Sequence, residues 1–254
     1  MPFMKTIIIF LAALGLGLAA SAQADRRAFT RTYEYVTQAE DALELEYYLT
    51  QQQTDIQQAS TRSLEQQIEI EYGLTNRWDI SIYQAYSQPS GGGLSYSATK
   101  LRTRYRFSER GINPVDILAY FEVIRPYAGS SWKLEPKLVL AKDVGKVTVA
   151  ANLIPEFVLT QARDADGSST EIEFEPGWAL GVTYEASPKW KLGGETWGAM
   201  EAPFDSEART TELYAGPAVS FAPSTKFWIA ATAGFGLNDD AKEFSARTII
   251  AIGL

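Results

Sequence analysis

The stretch Leu43-Glu44-Leu45-Glu46-Tyr47-Tyr48-Leu49 places apolar side chains at every odd position and its carboxylates at even ones. Leu64-Glu65-Gln66-Gln67-Ile68-Glu69-Ile70-Glu71-Tyr72 repeats the pattern, with Ile68, Ile70 and Tyr72 opposed to Glu65, Gln67, Glu69 and Glu71. Successive side chains of a strand point to opposite faces, so a period of two separates an apolar face from a charged one. Helical spacing would scatter these carboxylates among the isoleucines. Both stretches read as strands.

The alternation runs from here to the last residue. Twelve segments carry it: 42–52, 64–73, 77–88, 97–108, 114–126, 132–142, 146–160, 170–185, 189–201, 209–222, 226–237 and 243–254. No Asp, Glu, Lys or Arg occupies a central position of the apolar face; Arg125, Lys142 and Arg209 fall at segment ends. A soluble sandwich also alternates, but it leaves sheet edges to protect. Apolar faces this complete fit a wall facing hydrocarbon, where only a closed sheet pairs every backbone N–H and C=O. The predicted fold is all-β, a closed antiparallel transmembrane β-barrel of about twelve strands over residues 42–254. Pro136, Pro155, Pro176 and Pro217 lie within these segments and each removes a ladder donor. Bulges, or strand ends nearer the rim, would absorb them.

Three connections share one pattern: Tyr72-Gly-Leu-Thr-Asn-Arg77-Trp78, Tyr184-Glu-Ala-Ser-Pro-Lys189-Trp190 and Phe221-Ala-Pro-Ser-Thr-Lys226-Phe227. Their aromatics, with Phe107, fall on the apolar parity beside tight turns, as an interfacial girdle requires. The turns at 109–113 and 143–146 occupy equivalent places. Five short turns on the periplasmic side leave six connections outside, near 53–63, 89–96, 127–131, 161–169, 202–208 and 238–242.

Ahead of the strands, Lys5 precedes an apolar run from Ile7 to Ala20, and Ser21-Ala22-Gln23-Ala24 offers a small-x-small cleavage site. The run is short against the roughly 20 residues of a spanning helix. Residues 1–24 therefore read as a signal peptide cleaved after Ala24. Residues 25–41, with Phe29 and Tyr33 to Val36, remain; a periplasmic tail, a small plug and an extra pairing segment all fit them.

The chain has 254 residues, no Cys, no His and a net charge of −8. Without these residues there is no disulfide, thiolate zinc site, Ser-His-Asp triad or imidazole base. No cofactor, metal or enzymatic activity is expected. The acidic balance argues against a nucleic-acid partner.

On the charged face, Lys100, Arg102, Arg104 and Arg106 form a basic ladder on one strand. Glu44, Glu46, Glu65, Glu69 and Glu71, with Asp79 and Glu122 nearby, form an acidic wall. A lumen so lined has two readings. Its charges pair into a network that fills the barrel, or they set a transverse field that orients a small polar or ionic solute in passage. The first gives a structural or accessory barrel whose outer loops bind a partner, the second a narrow channel or transporter. Acids outnumber bases on this face, which favours cations, while the ladder would retain an anionic or aromatic solute.

With its signal peptide, alternating strands, Tyr72-Gly-Leu-Thr-Asn-Arg-Trp-Asp79 turn and terminal strand Phe244 to Leu254, the chain resembles a bacterial outer-membrane β-barrel. It is most similar to barrel families of the transporter type, including those linked to the phenol-degradation meta pathway. The resemblance implies the outer membrane of a Gram-negative cell, contact with its lipid, and insertion by the barrel-assembly machinery. That machinery would read the last strand through Phe244, Ile250, Ile252 and Leu254; such strands usually end in Phe, and here the end is Leu254. The motifs specify no cargo.

Overall fold

The structure, a computed structural model, describes residues 26–164, 167–201, 203, 204 and 210–254, with the side chains of 162–168 left out. The expected signal peptide lies outside the described residues.

Twelve antiparallel strands close into a barrel: β1 (Leu43–Gln53), β2 (Arg62–Thr75), β3 (Trp78–Gln88), β4 (Ser95–Arg106), β5 (Asp116–Pro126), β6 (Ser131–Val144), β7 (Val147–Asp164), β8 (Gly167–Ser187), β9 (Trp190–Glu201), β10 (Thr210–Ser224), β11 (Phe227–Gly236) and β12 (Phe244–Gly253). Each strand pairs with its sequence neighbours, and β12 closes on β1 from Glu44↔Gly253 to Gln53↔Phe244. The only helix among the described residues is a single 3-10 turn, Ala59–Thr61.

The alternation becomes an inside-out distribution. Ile68, Ile70, Trp78, Ile80, Ile82 and Leu101 point outward and are each more than 40% exposed, whereas Glu44, Glu46, Glu69, Glu71 and Asp79 point inward and are at most 1% exposed. A soluble protein distributes these residue types the other way round.

Two expectations change. Residues 161–164 and 167–169 are strand, not loop: β7 and β8 stay paired out to Asp164↔Gly167, so these strands project beyond their neighbours. The β8–β9 ladder ends at Gly177↔Ala199. The prolines are not pushed toward the rim either. Pro155 pairs with Pro176, and the β6–β7 ladder skips from Leu134↔Phe157 to Leu138↔Leu153 around Pro136 and Pro155. Around Pro217 the β10–β11 ladder skips from Ala215↔Phe235 to Ala218↔Thr232. A gap in one ladder removes the need for the missing N–H, so the strands continue through it.

The short turns and both ends of the barrel chain share one end, here the turn end; the longer connections share the other, the loop end. Tyr72, Trp78, Phe107, Tyr184, Trp190, Phe221 and Phe227 all lie at the turn end. Trp190 and Phe221 meet there with ring centres 4.4 Å apart.

Candidate functional site

In the β1–β2 register Glu44 stands opposite Glu71 and Glu46 opposite Glu69, like charges face to face. What makes this tenable arrives from β4. Ser81 of β3 lies between Glu71 and Arg102 in register, and its small side chain lets two guanidinium groups reach across the strand. Arg102 Nη2 sits 2.5 Å from Glu71 Oε2 and 2.9 Å from Glu69 Oε1. Arg104 donates from Nε to both Asp79 oxygens at 3.0 Å, from Nη2 to Asp79 Oδ2 at 2.7 Å, and also to Glu71. Arg102, Arg104, Glu69, Glu71 and Asp79 are all at most 3% exposed. Charges so far from water persist only when paired and hydrogen-bonded.

The rest of the expected ladder diverges. Lys100 pairs with Glu122 at 3.4 Å. Arg106, at the turn end, donates to Thr37 Oγ1 at 2.8 Å and to the Asn76 carbonyl. Glu65 lies exposed near the loop end, outside the cluster. Thus Glu69, Glu71, Asp79, Arg102 and Arg104 come together, Lys100 and Glu122 form a separate pair, and Arg106 serves the chain that enters the barrel. Carboxylate oxygens of Glu46, Glu69 and Glu71 lie within 4.8 Å of one another, a spacing compatible with a cation. Arg102 and the Tyr48 hydroxyl, 2.7 Å from Glu69 Oε2, already engage that group.

The segment for which the sequence left three placements open runs inside the barrel as a plug. Asp41, at φ 60°, turns the chain from β1 into the lumen, a conformation Asp tolerates. Glu40 bridges Gly73, where a Cβ would fall 1.8 Å from the Ala39 carbonyl oxygen; only glycine admits the chain here. Gln38 N donates to Asp79 Oδ2 at 2.9 Å. The Tyr35 hydroxyl donates to the Ser108 carbonyl at 2.6 Å. Farther in, Asn152 holds Tyr33 by both backbone groups, accepting from its N–H at 2.7 Å and donating to its carbonyl at 2.9 Å.

The turn of the plug is held by one side chain. The Glu195 carboxylate accepts from the N–H groups of Thr30, Arg31 and Thr32 at 2.9, 2.9 and 2.7 Å, and from the hydroxyls of Thr30 and Thr232 at 2.9 and 2.5 Å. Consecutive N–H groups form a concave anion seat, and a carboxylate filling it makes charge-assisted bonds. The chain then returns to the turn end, where Arg26 donates to the carbonyls of Pro188 and Lys189 at 2.7 and 3.0 Å. Between the two arms, Ala28 N donates to Glu34 Oε2 at 2.5 Å.

Packing completes the seat. Phe29 is wholly buried and lies where a Gly181 Cβ would come within 2.5 Å of its ring. Gly181→Val is expected to destabilise the protein by about 1–3 kcal/mol through overpacking. Phe29→Ala should relieve that clash, so a double-mutant cycle by urea titration would show strong coupling; independent effects would refute the packing argument.

Alternation alone did not single out a second inward set, because tyrosine is compatible with either face. Tyr48, Tyr83, Tyr120 and Tyr214 are buried inside. Trp197 also lies on the lumen side, stacked on Tyr214 with ring centres 5.3 Å apart. Above the plug these rings border a cavity of about 320 Å³ toward the loop end, whose walls include Lys100, Lys137, Glu122, Glu135, Glu201 and Glu212.

No protein-family model and no curated protein matches the chain. Solved structures do. An outer-membrane channel from Pseudomonas putida F1 aligns with a TM-score of 0.63 at 13% identity, over 89% of this chain and 100% of that one. The fold is that of outer-membrane β-barrels. The KdgM porin follows at 0.57 and 11% identity, covering 83% and 99% of the two chains, and the NanC porin at 0.55 and 9%, covering 84% and 99%. At such identities the likeness concerns the barrel alone.

Proposed function

We propose that this chain is an outer-membrane channel whose lumen is closed at rest by residues 26–41, and that small polar or ionic solutes enter it from the loop-end cavity. The observation carrying this reading is the way the plug is held. Hydrogen bonds, the buried rings of Phe29, Tyr33 and Tyr35, an ion pair of Glu34 with Lys191 and a guanidinium staple fix it, while among the described residues no strand ladder beyond the single Glu40–Gly73 bridge ties it to the wall. A segment held by side chains can leave without unzipping the sheet. The neighbouring folds are channels and porins, and the resemblance to barrels linked to phenol degradation points toward transport as well. A chain without His or Cys fits passage better than catalysis.

In this reading the aromatics of the turn end form the periplasmic girdle. Phe244, Ile250 and Ile252 on the outer side of β12, with Leu254 just past its end, form the insertion strand presented to the assembly machinery. The filled lumen equally suits the second reading, a silent structural barrel, and planar-bilayer recording of the full chain separates the two. Brief, small current steps in a salt gradient support the channel; a fully inserted chain that never conducts, with or without its plug, supports the structural barrel.

The outer face makes a further expectation. Leu101, 56% exposed in the middle of β4, would face hydrocarbon. Leu101→Arg is expected to destabilise the inserted barrel by about 2–4 kcal/mol, read as a lower urea midpoint for its heat-modifiable gel mobility. Leu101→Met should leave that midpoint in place; an unmoved midpoint in the arginine variant would reverse the assigned faces.

A further inference from the structure

Lys100, Arg102 and Arg104 of β4 are engaged by carboxylates, yet other guanidinium groups in the lumen are not; one, Arg27, donates to the Tyr48 hydroxyl at 3.1 Å and does not line the loop-end cavity. Arg31, at the turn of the plug, and Arg247, on β12, both border the loop-end cavity. They are neighbours: Arg31 Nη2 donates to Ser245 Oγ at 2.8 Å, and Arg247 Nη1 reaches the Thr30 carbonyl at 3.5 Å. Arg247 also donates from Nε to Thr50 Oγ1 at 2.9 Å. Among the described residues, neither guanidinium group lies within 4.0 Å of a carboxylate oxygen, and Arg31 Nε is buried with no partner. Glu195, whose carboxylate lies beside Arg31, is occupied by the backbone N–H groups around it. The other two bases of the cavity are paired, Lys100 with Glu122 and Lys137 with Glu135 at 2.9 Å.

Two adjacent cations, neither guanidinium in an ion pair among the described residues, are held together against their own repulsion. The Arg31 guanidinium lies over the Trp197 ring at 5.1 Å, which fixes its plane. Guanidinium groups offer parallel N–H donors that match the two oxygens of a carboxylate. The mouth of the cavity carries Glu201 and Glu212, neither in an ion pair among the described residues, and their field would turn away multiply charged anions.

We infer that Arg31 and Arg247 form a binding pair for the carboxylate of a small, singly charged solute at the floor of the loop-end cavity, one ligand group carried by the plug and one by the wall. The inference rests on the reading of this cavity as the solute's entry chamber and names the class of solute that it takes. It also ties occupancy to the plug, since a bound carboxylate touches the plug at its turn.

The test is saturation-transfer NMR with sodium butyrate on the refolded full chain in detergent, at constant chloride ionic strength. Wild type is expected to show saturable transfer. Arg247→Gln should raise the dissociation constant roughly tenfold or more, since losing one charge-assisted contact removes at least about 1.4 kcal/mol. Arg247→Lys should fall between, and the Arg31→Gln/Arg247→Gln double variant should show no saturable transfer. Lys146→Gln, a base at the turn end, should bind as wild type does, and heat-modifiable mobility checks that each variant is folded. Absence of saturation in wild type, or equal affinity in the folded double variant, overturns the inference. Binding is read without conduction: a chain that binds butyrate but never conducts refutes the channel and leaves the site, and a conducting chain that does not bind refutes the site alone.

Discussion

Removal of residues 26–38 is expected to raise single-channel conductance roughly tenfold or more over the full chain, with long open times replacing brief events. The deletion takes away Phe29, Tyr33 and Tyr35, wholly or nearly buried inside the barrel, and keeps Glu40 to Ala42, which lead into β1. No strand is touched, so the sheet retains all twelve ladders. The groups left behind, Glu195, Asn152 and Asp79, would then face water instead of the plug. Glu195→Ala should move in the same direction by a smaller amount, because it frees three plug N–H groups at once. It should also expose the segment to protease in liposomes with the turn end outward. If deletion leaves conductance unchanged, the plug is not the barrier and the ion-pair cluster is.

Arg104→Met should give the largest loss of stability of any single lumen substitution. Arg104 contacts Asp79 through two nitrogens and Glu71 through one, all nearly without solvent exposure. Removing the cation leaves Glu71 to Arg102 alone and, among the described residues, the buried Asp79 with no cation nearer than Arg102 at 3.9 Å. Breaking a buried pair in this way costs about 3–5 kcal/mol. The double variant Asp79→Asn/Arg104→Met should recover a large part of that loss, because an amide needs no counter-charge. Urea titration of heat-modifiable mobility would read both. A single variant as stable as wild type would mean that water or ions reach the cluster and screen it.

The barrel was legible because its rule is local. Every strand carries its own parity, so Leu45, Ile68 and Ile82 announce the outer face without knowledge of their neighbours. Turn positions followed from the repeated aromatic-to-aromatic pattern that holds Tyr72 and Trp78. The prolines misled because a ladder gap is a property of two strands: nothing in residues 132–142 tells that Pro155 lies on the neighbouring strand where Pro136 also needs relief. The plug was illegible for the same reason. Residues 26–41 have no period, and their partners Asn152, Glu195 and Ser245 lie 119 to 214 residues away. Inward tyrosines escaped because tyrosine fits either wall, and the pairing state of each cation was hidden. Lys100 to Arg106 drew attention as a run, yet the guanidinium groups that border the cavity with no ion pair among the described residues are Arg31 and Arg247, which no run contains.

Closure of β12 on β1 joins Leu45 to Ile252 and Gln53 to Phe244, the largest chain separations in the sheet. Loop-closure entropy makes such a contact slow and late. Partners of the plug are spread from Asp79 on β3 to Ser245 on β12, so its seat is complete only when this last seam is made. Residues 26–41, which precede every strand in the chain, are then among the last to reach their final place. The same dependence makes an expectation: residues 26–41 stay open to protease for as long as the seam between β12 and β1 is unmade.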